Sequence, residues 1–147
     1  MQEKLESGRG FSLLELLIVV AIILVIATIA VPSLLRSRQL ANENSAVANL
    51  RTISNAEAAY LSASGGYYGS ISNLVSEQFL DDRFDGGAFA GYTYAIAASN
   101  FDYTATATPV SSTTGRYEYY MVPDGVIRYS TSVALAPPGR AGSPVSN

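Results

Sequence analysis

Near its N-terminus the chain carries one long apolar segment. Every residue from 16 to 31 is apolar except Thr28, and the wider segment 11–35 contains a single charge, Glu15, and a single proline, Pro32. Since an α-helix rises 1.5 Å per residue, about 20 residues cross the hydrocarbon core of a bilayer. The segment therefore predicts a membrane-spanning helix, in which a charge such as Glu15 is unfavourable and requires a compensating partner.

After residue 35 the wholly apolar pattern becomes amphipathic. Apolar or bulky side chains recur at helical spacing, and polar side chains, Glu43 among them, fill the positions between. Gly65 and Gly66 then give a helix-end signal. Residues 36–66 are therefore predicted to continue the same helix, which would reach about 80 Å in all. The recurring positions are Leu40, Val47, Leu50, Ile53, Glu57, Tyr60 and Leu61.

Residues 67–135 have a different composition, rich in Tyr, Thr, Ser, Gly and Ala, and predict a globular β head. Segment 71–80 is predicted to form a short helix. Segments 91–96 and 103–108 alternate in the manner of strands, and the second places its threonines on one face.

A β-hairpin is predicted where segments 116–122 and 126–130 flank Pro123-Asp124-Gly125. Proline presets φ in such a turn, and glycine accepts a positive φ. The last residues, 136–147, combine prolines with small residues and are predicted to be a mobile tail. Together these patterns predict an α+β fold, with a long N-terminal helix packed on a small antiparallel sheet.

Composition excludes several kinds of chemistry. The chain has no histidine and no cysteine, so a Ser-His-Asp triad, a thiol nucleophile and a thiolate zinc site are excluded. Charged residues make up only 14% of the chain, the pI is about 4.8, and the basic residues are scattered. Nucleic-acid binding, which requires clustered cations, is therefore not predicted. No cofactor and no enzymatic activity are predicted.

Two local patterns resemble binding sites but favour simpler interpretations. Residues 81–86 resemble the start of a calcium loop, but Arg83 and Tyr92 stand where two ligands are needed, so a solvated acidic turn and no metal are predicted. The tyrosines of the head suggest carbohydrate stacking, but packing in a sheet is the favoured interpretation. The carboxylates available for a hydrolase pair, for which no motif exists, are Glu77, Asp102 and Glu118.

The junction before the apolar segment carries a family resemblance. The run Gly10-Phe11-Ser12-Leu13-Leu14-Glu15, preceded by a short polar stretch and followed by the apolar helix, resembles the prepilin N-terminus. That family includes type IV pilins and the pseudopilins of type II secretion. The resemblance is specific from Gly10 to about Leu61 and covers only general architecture beyond that point.

The resemblance implies a processing and assembly pathway. Residues 1–10 would be a leader, removed after Gly10 by a prepilin peptidase, and Phe11 would become an N-methylated terminus. Segment 11–35 would serve as a transmembrane helix in lipid and then as a filament core, assembled by an inner-membrane platform into a helical homopolymer. The chain would thus lie first in the inner membrane and then in an extracellular or periplasmic filament. The number of positive charges on the two sides of the helix is equal, so orientation rests on the resemblance alone.

Glu15 and Pro32 are the predicted assembly residues, and each has two interpretations. Glu15 either pairs with the α-amino group of Phe11, within the chain or in a neighbouring subunit, or serves recognition by the peptidase or platform. Pro32 either marks where the helix loosens during assembly, as the resemblance implies, or is a tolerated membrane-helix kink.

Four alternatives to a pilus subunit follow from the sequence. The major pseudopilin of a type II secretion system shares the whole motif. A membrane-anchored surface binding module would need an anchor but neither the glycine junction nor Glu15. A secretory signal peptide cleaved after Ala30, or a plain uncleaved anchor, also fits the apolar run, although Glu15 would interrupt the apolar core of a signal peptide.

Overall fold

The computed structural model describes residues 11–130 and 142–145. The chain divides into two compact units, Met1–Arg36 and Ser37–Asn147. The elements in chain order are the helices α1 (Leu13–Ala63) and α2 (Ile71–Ser76), a 3₁₀ turn (Asp82–Phe84), and the strands β1 (Ala88–Phe89), β2 (Tyr92–Ala98), β3 (Tyr103–Pro109), β4 (Glu118–Met121), β5 (Ile127–Ser130) and β6 (Ser143–Pro144).

The apolar segment forms the first part of α1, which begins two residues after Phe11 and continues through Pro32. By length and composition α1 could cross a membrane, a test that core helices of soluble proteins and signal sequences also pass. The large apolar side chains of this segment are exposed on the surface of the single chain. The predicted leader, 1–10, lies outside the described residues.

Within the second unit α1 buries a narrow stripe. Its buried residues are Glu43, Ala46, Leu50, Ile53, Ala56 and Glu57. They are spaced three or four apart, as expected for one helix face packed on a core. The stripe confirms the predicted positions Leu50, Ile53 and Glu57, but Leu40 is 45% exposed. Glu43, which the pattern assigned to the polar positions, is buried.

The helix ends where the glycines predict. Gly65 and Gly66 adopt positive φ angles of 79° and 102°, and the Gly66 N–H donates to the Leu61 carbonyl at 2.9 Å. This hydrogen bond satisfies a carbonyl of the last turn, as in a Schellman motif. The residues that join the two helices, 64–70, are here called the α1–α2 connection.

Helix α2 is shorter than the predicted 71–80. Ser70 caps its start, and the Asn73 side-chain oxygen accepts the Ser70 backbone N–H at 3.2 Å. At the other end Gln78 has a positive φ of 63°, which is incompatible with a continuing helix. The Phe79 and Leu80 amides both donate to the Leu74 carbonyl instead, so α2 ends at Ser76.

The six strands form one antiparallel sheet in chain order, β1 to β6. This confirms the predicted α+β fold. Strand β3 alternates as predicted, with Ala105 and Ala107 buried and its threonines on the opposite face. The hairpin β4–β5 also forms as predicted, since Gly125 has a φ of 74° and donates its N–H to the Val122 carbonyl at 3.1 Å.

The C-terminal segment is only partly described. Of the predicted mobile tail, 136–147, the structure describes residues 142–145. Within them Ser143–Pro144 pairs with β5, where Tyr129 faces Ser143, and the Val145 N–H donates to the Ile127 carbonyl at 2.8 Å. The sequence did not predict this edge strand. The other residues of the predicted tail lie outside the described residues.

Candidate functional site

The candidate site is the apolar part of α1. Phe11 is 72% exposed, Leu13 is 80% exposed and Ile29 is 75% exposed. Monomeric soluble proteins rarely present so long a continuous apolar surface to water. Such a surface requires lipid or other apolar helices around it.

Glu15 lies on this surface, in the first turn of α1, and is exposed. The helix is already hydrogen-bonded there, since the Leu16 N–H donates to the Ser12 carbonyl at 3.1 Å. A carboxylate in the first helical turn is favoured by the helix dipole. Phe11 lies two residues before α1 begins and four residues before Glu15 in the chain.

Pro32 and Thr28 together weaken one stretch of α1. Pro32 has no N–H, so the helix lacks the hydrogen bond that the Thr28 carbonyl would otherwise accept. The Thr28 hydroxyl donates to the Val25 carbonyl at 2.7 Å, an arrangement that tends to bend a helix. The Thr28 carbonyl therefore lacks its usual helical hydrogen bond, and the Thr28 hydroxyl bonds to the helix backbone in the same turn.

In the second unit, side chains of α1 bind the connection between β3 and β4, residues 110–117. Gln39 donates to the Ser112 carbonyl at 2.7 Å, and Asn42 donates to the Thr114 carbonyl at 2.9 Å. A Cβ at Gly91 would lie 2.6 Å from the Asn42 amide nitrogen, so only glycine fits beside this contact. These hydrogen bonds fix the first turns of α1 in the head.

Glu43 strengthens the same attachment through Arg116. Its carboxylate accepts the Arg116 backbone N–H at 2.9 Å and the side-chain Nε and Nη2 at 3.0 and 2.8 Å. Burial alone would raise the pKa of Glu43, but the hydrogen bonds and charge of Arg116 outweigh it and lower that pKa below its usual value. The same carboxylate raises the pKa of Arg116.

Sequence reasoning missed the Glu43–Arg116 pair. A signal was present, because Glu43, Leu50 and Glu57 are seven residues apart and two of them had been assigned to the buried stripe. Extending that period by one step places Glu43 on the buried face. Its partner, 73 residues later, could not be found by any local pattern.

The other sequence-predicted candidates are not brought together. Asp102 accepts the Tyr103 amide, and the buried Glu118 accepts the Thr108 hydroxyl at 2.6 Å. Glu77 is exposed. In the 81–86 turn Asp81 accepts the Arg83 amide as a helix cap. Residues 11–130 and 142–145 contain no cluster of three or more potential metal ligands.

Most of the head tyrosines pack, as the favoured interpretation predicted. Tyr68 lies on Tyr103 with ring centroids 4.9 Å apart, and Phe84 meets Tyr94 edge to face at 5.5 Å. Tyr67, by contrast, is 48% exposed. The buried tyrosines are Tyr92, Tyr94, Tyr103, Tyr119 and Tyr120.

Comparison with known proteins supports the resemblance found at the N-terminus. A family model described as the prokaryotic N-terminal methylation motif matches residues 7–31. Over 93 residues, 63% of this chain, the sequence is 37% identical to the type IV major pilin protein PilA of Myxococcus xanthus. The N-terminal part of the chain is therefore similar to that of a type IV pilin.

A second relative extends the likeness. Over 72 residues, 49% of this chain, the sequence is 33% identical to the type IV wide pilus major component PilA4 of Thermus thermophilus. The matched part spans 40% of the length of the first relative and 55% of the second. No solved structure matches the chain significantly. The motif match, residues 7–31, covers Gly10, Phe11 and Glu15 and stops one residue before Pro32.

Proposed function

We propose that this chain is a structural subunit of a type IV pilus-like filament, polymerised through segment 11–35 of α1. The supporting observation is that this segment is a formed helix whose apolar side chains are exposed within the chain. In the membrane, lipid covers that surface, and in a filament the same surface is covered by equivalent helices. A repeated contact of this head-to-tail type does not close and so builds a helical polymer.

Processing would supply the assembly-competent form. A membrane prepilin peptidase cleaves between Gly10 and Phe11, and Phe11 becomes an N-methylated terminus. The motif match at residues 7–31 supports this step. Cleavage also creates a cationic α-amino group beside the one carboxylate of the apolar segment.

Glu15 would set the position of each subunit in the filament. A carboxylate in the middle of a bilayer costs roughly 2.5–3.5 kcal/mol on insertion scales, and less near the interface. In a water-free bundle of apolar helices the carboxylate needs a cation, and the α-amino group of Phe11 is the cation that processing provides. Pairing with the Phe11 amine of a neighbouring subunit would fix axial register, since only one register brings the two charges together.

The relatives favour a pilus over a secretion pseudopilus. Both are named as major components of type IV pili, and both match this chain at above 30% identity. A membrane-anchored binding module is less well supported, because an anchor requires neither a cleavable glycine junction nor a carboxylate in its first turn. After assembly the proposed location is therefore the cell surface.

Isolation of surface filaments tests this function. Filaments sheared from cells that express the chain should contain it as the main protein, with a mass that begins at Phe11 and includes one added methyl group. A periplasmic filament that is absent from the cell surface would instead support the pseudopilin. Recovery of the chain only as membrane-bound monomers, with no filament in either place, would contradict the proposal.

A further inference from the structure

Glu57 is a buried carboxyl group that the proposed assembly does not use. It lies in the head part of α1 and is 0% exposed. Its Oε2 accepts the Gly69 N–H at 3.1 Å, while its Oε1 has no hydrogen-bond partner among the described residues. Buried carboxylate oxygens without a partner are uncommon in folded proteins, because the charged form loses hydration that nothing replaces.

The charged and titratable groups around Glu57 do not favour its ionised form. None of the ion pairs within the described ranges involves Glu57. On β3, the Tyr103 hydroxyl donates to Ser54 of α1 at 3.2 Å, and burial, together with the nearby charges of Glu57 and Asp124, raises the Tyr103 pKa. In the α1–α2 connection, the titratable group beside Tyr103 is Tyr68, which stacks on it.

The connection is tight at the end that contacts Glu57. A Cβ at Gly69 would lie 2.6 Å from the Leu74 Cδ1 and 2.9 Å from the Tyr60 ring, so only glycine brings its N–H this close to α1. The other end is held by backbone and Ser64 hydrogen bonds and has open space around its two glycines. Gly65 and Gly66 have positive φ angles, and a Cβ at either would meet nothing within 4 Å. Both glycines can rotate without a steric clash of their own, and a rotation there that lifts the connection separates the Tyr68 ring from Tyr103.

We propose that Glu57 and the Gly69 amide form a pH-dependent latch on the α1–α2 connection. Protonated Glu57 stays buried and keeps residues 67–69 against the helix. When the proton leaves for solvent, the carboxylate needs water, and water reaches it only if the connection lifts about Gly65 and Gly66. The latch changes the exposure of Tyr68 and lies wholly within the head, so it does not depend on the proposed assembly through segment 11–35.

The direction of the pH dependence follows from burial. Burial raises the pKa of Glu57 above its ordinary value of 4.5, and the Gly69 hydrogen bond opposes this only in part. The stability of the closed connection is therefore fully present below pH 4.5 and is lost as pH rises through the raised pKa. Between pH 4.5 and the raised pKa of Glu57, the equilibrium constant for opening the connection should rise about tenfold per pH unit. Above the raised pKa this equilibrium constant should no longer change with pH.

Amide hydrogen exchange on the full-length chain in detergent micelles tests the latch. The protection factor of the Gly69 amide is measured from pH 4 to pH 9, about the range in which a raised carboxyl pKa falls. The reference is the Val110 amide, which donates to the Gly91 carbonyl at 3.0 Å in another part of the head. Gly69 protection should fall about tenfold per pH unit over part of this range, while Val110 protection should stay constant.

Two substitutions separate the latch from general destabilisation. Glu57→Gln removes the titrating proton and should abolish the pH dependence of Gly69 protection. Glu77→Gln, at an exposed carboxylate directly after the end of α2, should leave it unchanged. If Glu57→Gln does not fold, isotope-edited infrared spectroscopy of the unsubstituted chain gives the Glu57 titration directly. Titration at or below pH 4.5, or Gly69 protection that is independent of pH, would overturn the proposal.

Discussion

The carboxylate of Glu43, on α1, accepts three hydrogen bonds from Arg116, which lies 73 positions later in the chain. The Glu43 side chain is 6% exposed, and that of Arg116 is 37% exposed. Arg116 lies in the β3–β4 connection, to which Gln39 and Asn42 also donate hydrogen bonds. The pair therefore ties the sheet to the part of the helix where the head begins.

Glu43→Gln should destabilise the head. The substitution removes the charge that receives the Arg116 guanidinium, and hydrogen bonds to charged groups contribute roughly 1.5–3 kcal/mol each. Because the Arg116 side chain keeps partial access to water, a loss of about 1–2 kcal/mol in the free energy of unfolding is expected. Urea unfolding of the full chain in detergent at pH 7 measures it, with Glu77→Gln as the exposed control. A loss equal to that of the control would contradict the role assigned to the pair.

Acid should weaken the same attachment. The pKa of Glu43 is lowered in the folded head, so its contribution to stability is present above the unfolded value and is lost as pH falls through the folded one. The pKa of Glu57 is raised instead, so its contribution to stability is lost as pH rises, although Glu43 and Glu57 lie on one face of α1. In Glu43→Gln the decrease in unfolding free energy below pH 4.5 should be smaller than in the unsubstituted chain. An unchanged acid dependence would show that other carboxylates cause it.

Gly10→Val should block processing. A glycine lets a protease approach the backbone closely, and a branched side chain at that position obstructs it. Mass spectrometry of the membrane-bound chain should find residues 1–10 still attached. Gly8→Val, two residues earlier in the same polar stretch, is the matched control and should be processed to Phe11. Equal processing of both variants would contradict the predicted cleavage position.

Pro32→Ala should restore a backbone hydrogen bond to the Thr28 carbonyl and stiffen α1, since an interior proline destabilises a helix by about 3 kcal/mol. We expect unchanged membrane insertion but altered filament yield or stiffness in electron micrographs. Val31→Ala changes the adjacent apolar side chain without changing the backbone and serves as the control. Filaments identical to those of the unsubstituted chain would leave Pro32 as a tolerated kink.

The parts of the fold that the sequence predicted are those that depend on local chemistry. The turn at Pro123-Asp124-Gly125 has the φ that glycine favours, and β3 alternates as its Ala–Thr pattern requires. The end of α1 follows from Gly65 and Gly66. Each of these features is decided by residues within one or two turns of one another, so a single sequence is enough to find it.

The features that the sequence did not predict depend on distant partners. Pairing of Ser143 with Tyr129 makes an edge strand from a segment with prolines, and no local pattern reports it. Likewise α2 ends early because Phe79 and Leu80 bond back to Leu74, which a periodic pattern through 71–80 cannot reveal. At the candidate site, the identities of Phe11, Glu15 and Pro32 came from sequence, and their roles in assembly remain predictions.

Glu15→Ala tests the central claim, that the chain polymerises through its N-terminal helix with Glu15 setting the register. The variant should insert into the membrane and begin at Phe11 after processing, because alanine leaves the junction and the apolar helix intact. It should polymerise poorly alone, and co-expression with the unsubstituted chain should restore part of the filament yield. Leu16→Ala, a truncation at the next exposed position, is the matched control and should assemble.

The deciding measurement is the amount of sheared filament from cells that produce only the processed Glu15→Ala chain, compared with the Leu16→Ala control. We predict a large loss of filaments for Glu15→Ala at equal amounts of processed protein in the membrane. Loss of processing would instead assign Glu15 to recognition by the peptidase. Normal filaments built only from Glu15→Ala subunits would contradict the claim.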